Sequence, residues 1–458
     1  RTRHTVAAES MTTTEVFKKR YVDGLRNPVP TSAKVQRMLD FKAGEKIGDE
    51  YIWGVSLQLP HGHTWNGGAT YGSIFDMNTA RAGQIKQAKA KGCEYLNRSQ
   101  IPYGVLSKGE TTKQAFLPVM DVYMQRLIEA TAHGIEMQVI YGGLSIGTID
   151  AGGVGALAGV RFTATISKLK WAAGLFKSSE GMPIDIWDAG TGDAPGANKR
   201  TATGAATIVV VNAATRAVTI DLAAAGDYVG IVATDVIVPF AAKTNWTDGM
   251  HAIISTSAGG TGTVLGIDVS LYGLWRSTTF AVGGAMTMTK FLQATAILSI
   301  NAGDPADFGA GEEEGDKGAV GTDKEEVEPY VFLCSPYTQI DIITEQAALR
   351  RYTNEREIKK LKAGGSGVIF ETPVGPVRVV SSSYIKAGHA FFIRPSDWHL
   401  IGSSLPTFGI PNKPGDENLI VDLQDKSGFE VRRWADLGVV ADVLNTSLEC
   451  TGIVNASL

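Results

Sequence analysis

Cysteine, net basic charge, long apolar runs and catalytic signatures are all scarce in this 458-residue chain, and each scarcity removes a class of function. Its three cysteines, Cys93, Cys334 and Cys450, are odd in number, far apart and at no metal-ligand spacing, so a reducing compartment is the simpler reading. A formal net charge of -4 and an isoelectric point near 6.0 leave no global basic footprint, and strong nonspecific binding to nucleic acid does not follow from charge. No stretch approaches the roughly 18 apolar residues that a membrane helix needs. Residues 1–20 (RTRHTVAAESMTTTEVFKKR) lack the apolar core of a secretory signal, and a soluble chain is expected. The chain opens on Arg1 rather than Met, which points to upstream residues cut off by proteolytic maturation or lying before this numbering; intact mass against the encoded sequence decides. Charged residues are only 20%, whereas glycines number 53, a balance that favours short strands and turns over a helical bundle.

What the chain does have is one long helical pattern, Thr111–Gly143 (TTKQAFLPVMDVYMQRLIEATAHGIEMQVIYGG). Leu117, Met120, Met124, Leu127, Ile128 and Ile135 recur near three- and four-residue spacings, which predicts a helix from about Lys113 to Tyr141 that buries one stripe and solvates the rest. Thr111 and Gln114 fit a capping box at its start. Pro118 should bend or reset the first turn. Gly134, Gly142 and Gly143 cost helix stability unless the backbone turns there or approaches something closely.

At about 100 to 200 residues per domain, the length predicts two to four packed units. Residues 1 to about 48 are polar, charged and interrupted by proline, an arm that is ordered mainly by contact with something else. Tyr51–Gln58 is a strand-like aromatic run, and Asn78–Glu94, carrying Arg81, Lys86, Lys89 and Lys91, reads as a basic, weakly amphipathic helix or loop. Together, 49 to 107 form a projecting excursion. A Gly-rich loop (GLSIGTIDAGGVGALAG) follows the long helix, then a short helix around Ser167–Phe176. From 181 to about 283, the runs ATIVVVNA, RAVTIDLA, DYVGIVA, DVIVPFAA, HAIISTSA and TVLGIDVS predict a small antiparallel β-domain inserted between helical parts. Met286–Ile300 returns to helical periodicity, with Met288, Phe291, Leu292, Thr295 and Leu298 on one face. Residues 301–329 are acidic and Gly-rich, a long solvated loop. Beyond it, YVFLCS reads as a buried strand, Pro336–Arg351 as a helix, and Val368–Phe370, Val377–Val380 and Ala390–Ile393 as strands. Gly428–Val454 supplies two closing strands.

Each candidate for chemistry has a plainer explanation. His61 and His63 in PHGHTW lack a carboxylate or third histidine at ligand spacing. GGLSIG and GAGEEEGDKG lack the ending of a phosphate-binding loop, and the acidic loop lacks EF-hand spacing. Ser382 and Ser383 have no nucleophile elbow, and Asp397-Trp398-His399 reads as a packed strand end rather than part of a triad. The sequence therefore assigns no catalytic, cofactor-binding or metal residues, no cofactor and no enzymatic activity.

The order of parts resembles the major capsid proteins of tailed bacteriophages, the Hong Kong 97-like fold shared with encapsulins and the herpesvirus capsid floor. Thr111–Tyr141 is similar to the spine helix of that family, and GIEMQVIYGG to the turn after it. YVFLCSPYTQIDII is similar to its axial-domain strand and helix, VIFETPVGPVRVVSSSYIKAGHAFFI to the strands that come next, and GFEVRRWADLGVVADVLNTSLECTGI to the closing peripheral strands. The resemblance implies an α+β capsid fold: N-terminal arm 1–48, extended loop 49–107, peripheral domain with spine helix 108–150, axial domain 151–180 and 284–404, inserted β-rich domain 181–283, and a return to the peripheral domain over 405–458.

It also implies a structural protein that self-assembles into hexamers and pentamers of an icosahedral shell, located in the virion and assembled in host cytoplasm. Its implied partners are copies of itself, packaged double-stranded DNA held by weak nonspecific contact, and scaffolding, portal and decoration proteins, with no membrane. Arm residues Arg1, Arg3, Lys18, Lys19, Arg20 and Arg26 could meet the DNA or acidic partners, although a solvated face also explains them. Two alternatives stand beside it: an encapsulin-like protein-cargo compartment, and a secreted β-rich hydrolase or adhesin.

Overall fold

The computed structural model describes residues 33–42, 46–47, 50–66, 72, 74–108, 119–302, 330–350, 368–408, 420–423 and 426–455. Most of the arm, the Thr111/Gln114 capping box, Leu117, Pro118 and the acidic stretch from 303 to 329 lie outside the described residues.

The long helix runs Val119–Tyr141 and stops where the glycines predict. Its burial is not a single stripe. Ile128 is exposed, whereas every residue from His133 to Tyr141 is buried, because this half is enclosed by the strand Cys93–Pro102, the strand Gly428–Ala441 and the helix Met250–Gly259. A helix surrounded on several sides loses its polar face, and the amphipathic reading holds only for the first half. Two of its glycines are explained by close approach. A Cβ at Gly134 would collide with the Tyr95 phenol, and one at Gly142 with the carbonyl of Thr247. Gly143 follows at φ +77°, a left-handed turn that ends the helix.

Beyond the helix, six strands close into a barrel: Gly147–Val154, Arg161–Ile166, Pro183–Ala189, Ala206–Asn212, Ala217–Asp221 and Val236–Pro239. All the pairings are antiparallel. Ala206 and Thr207 pairing with Ile184 and Pro183 completes the ring. Ile149, Phe162, Ile166, Ile186, Ile208 and Ile220 fill it, a packed interior as a barrel of this size requires. The sheet therefore begins before residue 181, and the Gly-rich stretch after the helix is its first strand rather than a loop.

Two of the six predicted runs are not strands. DYVGIVA lies mostly in a 3-10 helix, Ala225–Gly230, and HAIISTSA in the α-helix Met250–Gly259, while TVLGIDVS makes only a hairpin with two residues in each strand. The β-branched pair Ile253–Ile254 invites a strand reading, yet the buried residues Met250, Ile253, Ile254 and Ser257 fall at helical spacing.

Asn78–Glu94 is likewise neither helix nor plain loop. Gln84–Lys91 is a strand paired antiparallel with Glu50–Gln58 in a long hairpin, and Cys93–Pro102 follows as another strand. Alternation of Ala88 and Ala90 with Lys89 and Lys91 carries the two-residue period of a strand.

Two further sheets complete the subunit. In the five-stranded one, Gly428–Ala441 pairs with Trp398–Phe408, Ile420–Asp422 and Cys93–Pro102, and Asp40–Lys42 adds at the edge. The six-stranded one orders Thr278–Gly284, Leu448–Ile453, His389–Ile393, Tyr330–Cys334, Gly375–Ser381 and Val368–Thr372. Helices Met288–Ala302 and Pro336–Arg350 flank it, as predicted, over a core centred on Phe291, Phe332 and Phe392. The two closing strands of the tail thus enter different sheets. Among the described residues, no helix is long and apolar enough to cross a membrane.

Candidate functional site

The charged groups that burial isolates most strongly meet where the long helix, the barrel and the six-stranded sheet converge. The helix contributes Tyr141, and the turn after it the Ser145 carbonyl. A loop between barrel strands supplies Asp193, the 3-10 helix Lys168–Lys170 supplies Lys170, and the helix Met250–Gly259 supplies His251. Lys386 and His389 stand at the entrance of one strand of the six-stranded sheet, and Glu449 lies within another.

Lys386 is wholly buried and donates to Asp193 Oδ2 at 2.7 Å and to the Ser145 carbonyl at 2.8 Å, its Nζ lying 4.6 Å from the centre of the Tyr141 ring. The Tyr141 hydroxyl accepts the Lys386 amide at 2.8 Å. Lys170 Nζ sits 2.5 Å from Asp193 Oδ1 and 3.1 Å from His389 Nε2. On its other side His389 Nδ1 meets Glu449 Oε1 at 2.7 Å, and His251 Nε2 reaches the same oxygen at 2.9 Å. A neutral His389 satisfies both neighbours as the Nδ1–H tautomer, donating to Glu449 and accepting from Lys170.

Burial shifts His389, Lys386 and Tyr141 away from their charged forms. It pulls His389 down to about 4 despite the bond to Glu449. It also lowers Lys386, against the attraction of Asp193, and lifts the Tyr141 phenol well above its ordinary value. For the acids burial acts upward and loses: Lys386, His389, His251 and Lys170 hold Asp193 well below the carboxylate range, and His251 with His389 brings Glu449 to about 2.

Asp193, His251 and His389 offer ligand atoms within 4.8 Å of one another. They do not fit a metal. Both Asp193 oxygens and His389 Nε2 already face ammonium groups, and a divalent ion would stand against Lys170 and Lys386 at contact distance. The arrangement is a salt-bridged fastening of three structural units.

A second buried acid lies on the same helix. Glu136 is 0% exposed and accepts the amides of Val35 and Gln36, one on each oxygen at 2.9 Å. At the opposite extreme, the excursion between the two hairpin strands leaves Leu59, Trp65, Ile74 and Met77 uncovered, with Trp65 91% exposed.

The residues weighed from sequence stay apart. His61 and His63 are exposed, their rings 5.9 Å apart, and His61 is bridged to Arg81 through the backbone. Asp397 accepts from Arg394 and Thr446, Trp398 donates to Ser447, and His399 meets Asp442 at 3.0 Å, so each has its own structural partner. Ser382 and Ser383 serve as backbone contacts to Cys334 and Gly174. The junction itself escaped sequence reasoning because its members are scattered from Lys170 to Glu449. The available signal was a polar residue at the edge of an apolar strand, as in KAGHAFFI.

No family model matches the sequence, and no curated protein matches it. The fold is nevertheless a known one, the α+β capsid fold of tailed phages. It is similar to the capsid asymmetric unit of cyanophage A-1(L), at a TM-score of 0.51 and 14% identity, covering 96% of this chain and 98% of that one. Looser likenesses extend to the capsid of a native GTA particle, with TM-score 0.43 and 9% identity over 95% of each chain. The capsid of cyanophage P-SCSP1u also has TM-score 0.43, at 8% identity over 97% of this chain and 94% of that one.

Proposed function

We propose that this chain is a phage major capsid protein, a structural and non-enzymatic subunit that builds hexameric and pentameric capsomers of an icosahedral shell around double-stranded DNA. The reading rests on the likeness to the cyanophage A-1(L) capsid along nearly the whole of both chains. In this reading the hairpin and its excursion are the extended loop, Val119–Tyr141 is the spine, and the six-stranded sheet is the axial unit, with the barrel inserted beside it. The excursion supports it: large apolar side chains such as Trp65 and Ile74 stand uncovered on a single subunit, and covering them against another copy removes that surface from water. A subunit of this kind works by repetition, so many modest interfaces replace a single strong site. The packaged DNA would be held by weak delocalised contacts, and scaffolding, portal and decoration proteins would act on the assembled surface.

The test is recombinant expression followed by negative-stain electron microscopy and nuclease protection of any enclosed nucleic acid. Closed shells of uniform size are expected. A strictly monomeric product at all concentrations would overturn the reading, and shells enclosing an enzyme rather than DNA would transfer it to the encapsulins.

A further inference from the structure

The small hairpin that follows the helix Met250–Gly259 breaks a local rule. Its strands, Thr263–Val264 and Ile267–Asp268, are joined by a two-residue turn in which Leu265 has φ +49° and Gly266 φ +82°. Both central residues of such a turn are left-handed, so asparagine or glycine is expected at each. Gly266 complies, whereas Leu265 holds a bulky side chain in a conformation that such residues avoid. That side chain packs against the buried cluster of Tyr51, Ile401 and Val440, where Trp53 and Ala90 of the long hairpin also lie. The same segment then follows the long hairpin along its length. The Lys89 amide donates to the Leu265 carbonyl at 2.9 Å, and the Lys89 side chain passes so close to Gly266 that a Cβ there would stand 2.7 Å from its Cγ. Nearer the excursion, the Tyr272 phenol donates to Gln84 Oε1 at 2.9 Å, and Gly273–Trp275 packs on Glu50–Gln58. Leu57 and Ala88 of the long hairpin are buried in one core with Val264, Ile267, Val269 and Trp275. The segment is itself fixed from behind. Trp275 Nε1 donates to the Val264 carbonyl at 3.2 Å, Arg276 Nε to the Val269 carbonyl at 2.7 Å, and Ser257 Oγ, on the helix Met250–Gly259, to the Trp275 carbonyl at 2.9 Å.

We infer that the segment from Thr263 to Trp275 is a splint that aims the long hairpin: the subunit itself sets the direction in which the excursion projects, before another copy meets it. A strained residue whose compensating contacts lie outside its own turn marks that role. Ordering the stalk within the folded subunit leaves less to be ordered when the excursion docks. The splint is a property of the single chain, and its use in assembly rests on the shell reading.

Hydrogen exchange of the unassembled full-length chain tests the splint, read by mass spectrometry on peptides covering 84–91 and, as a control, 389–393. Leu265→Asn gives the turn a residue it prefers and removes the contact. Leu265→Ala keeps the left-handed strain and removes the same contact, and it decides the matter should Leu265→Asn not fold. Both should speed exchange over 84–91 by about five- to thirtyfold and leave 389–393 unchanged. Unchanged or slower exchange over 84–91 would overturn the inference, since turn chemistry alone would then govern the small hairpin. Sedimentation across a concentration series tests the aiming. A higher threshold concentration for shells in the loosened variants supports it, and a natural threshold in a chain whose hairpin exchanges faster overturns it. No shells from the natural chain would remove the shell reading and the assembly role with it, while exchange still decides the splint.

Discussion

Glu449 and Glu136 are both almost fully buried acids, one in the junction beyond the end of the long helix and the other on the helix itself, yet they are driven in opposite directions. Glu449 is drawn down to about 2 by two histidines, whereas Glu136, held only by amides and a distant arginine, is pushed up to about 7. Burial alone thus does not say what an acid will do. Its neighbours' charge decides, and the same fold uses a compensated site to fasten three units and an uncompensated one to hold a turn.

The most damaging way to break this comparison is to unbalance the compensated site. Lys386→Met keeps length and apolar bulk but leaves Asp193 without its closest fully buried cation, and a loss of about 3 to 5 kcal/mol is expected from breaking a buried pair on one side. Urea unfolding followed by circular dichroism checks it, and near-natural stability would show that Lys170 alone balances the carboxylate.

A smaller effect sharpens the contrast through pH. His389 and His133 are both depressed to about 4 by burial, so each favours the folded state above the ordinary histidine value of 6.5 and withdraws that support as pH falls toward 4. Glu136 acts with the opposite sign, supporting the fold increasingly as pH falls from 7 to 4.5. Glu136→Gln removes the opposing contribution, so stability should fall more steeply between pH 6.5 and 5, by up to about 1.4 kcal/mol per pH unit. Parallel stability profiles for the two proteins would contradict this assignment of signs. The smallest effect on the subunit is expected where nothing is buried. Trp65→Ser should change unfolding by less than about 0.5 kcal/mol, yet reduce the yield of closed particles by sedimentation if the excursion covers a neighbouring copy.

Legibility followed burial pattern. Continuous apolar runs such as YVFLC and AFFI became central strands, and the end of the long helix was readable from Gly142 and Gly143, because local chemistry dictates both. The start of the barrel was not readable, since Gly147–Val154 carries three glycines and only its partners make it a strand. Met250–Gly259 shows the reverse, a helix hidden behind β-branched residues that tertiary burial overrode. The junction was illegible for a different reason. Spacing rules find sites whose members are near in sequence, and Asp193, Lys386 and Glu449 are brought together only by three separate units packing.

The parting of the last two strands between different sheets bears on how the chain is made. Gly428–Ala441 is the central strand of one sheet, and Leu448–Ile453 lies inside the other. Neither sheet has all its strands until that late stretch has been synthesised, whereas the barrel has all of its own once Pro239 is in place. On the ribosome the barrel can close first, and the two sheets then finish almost together.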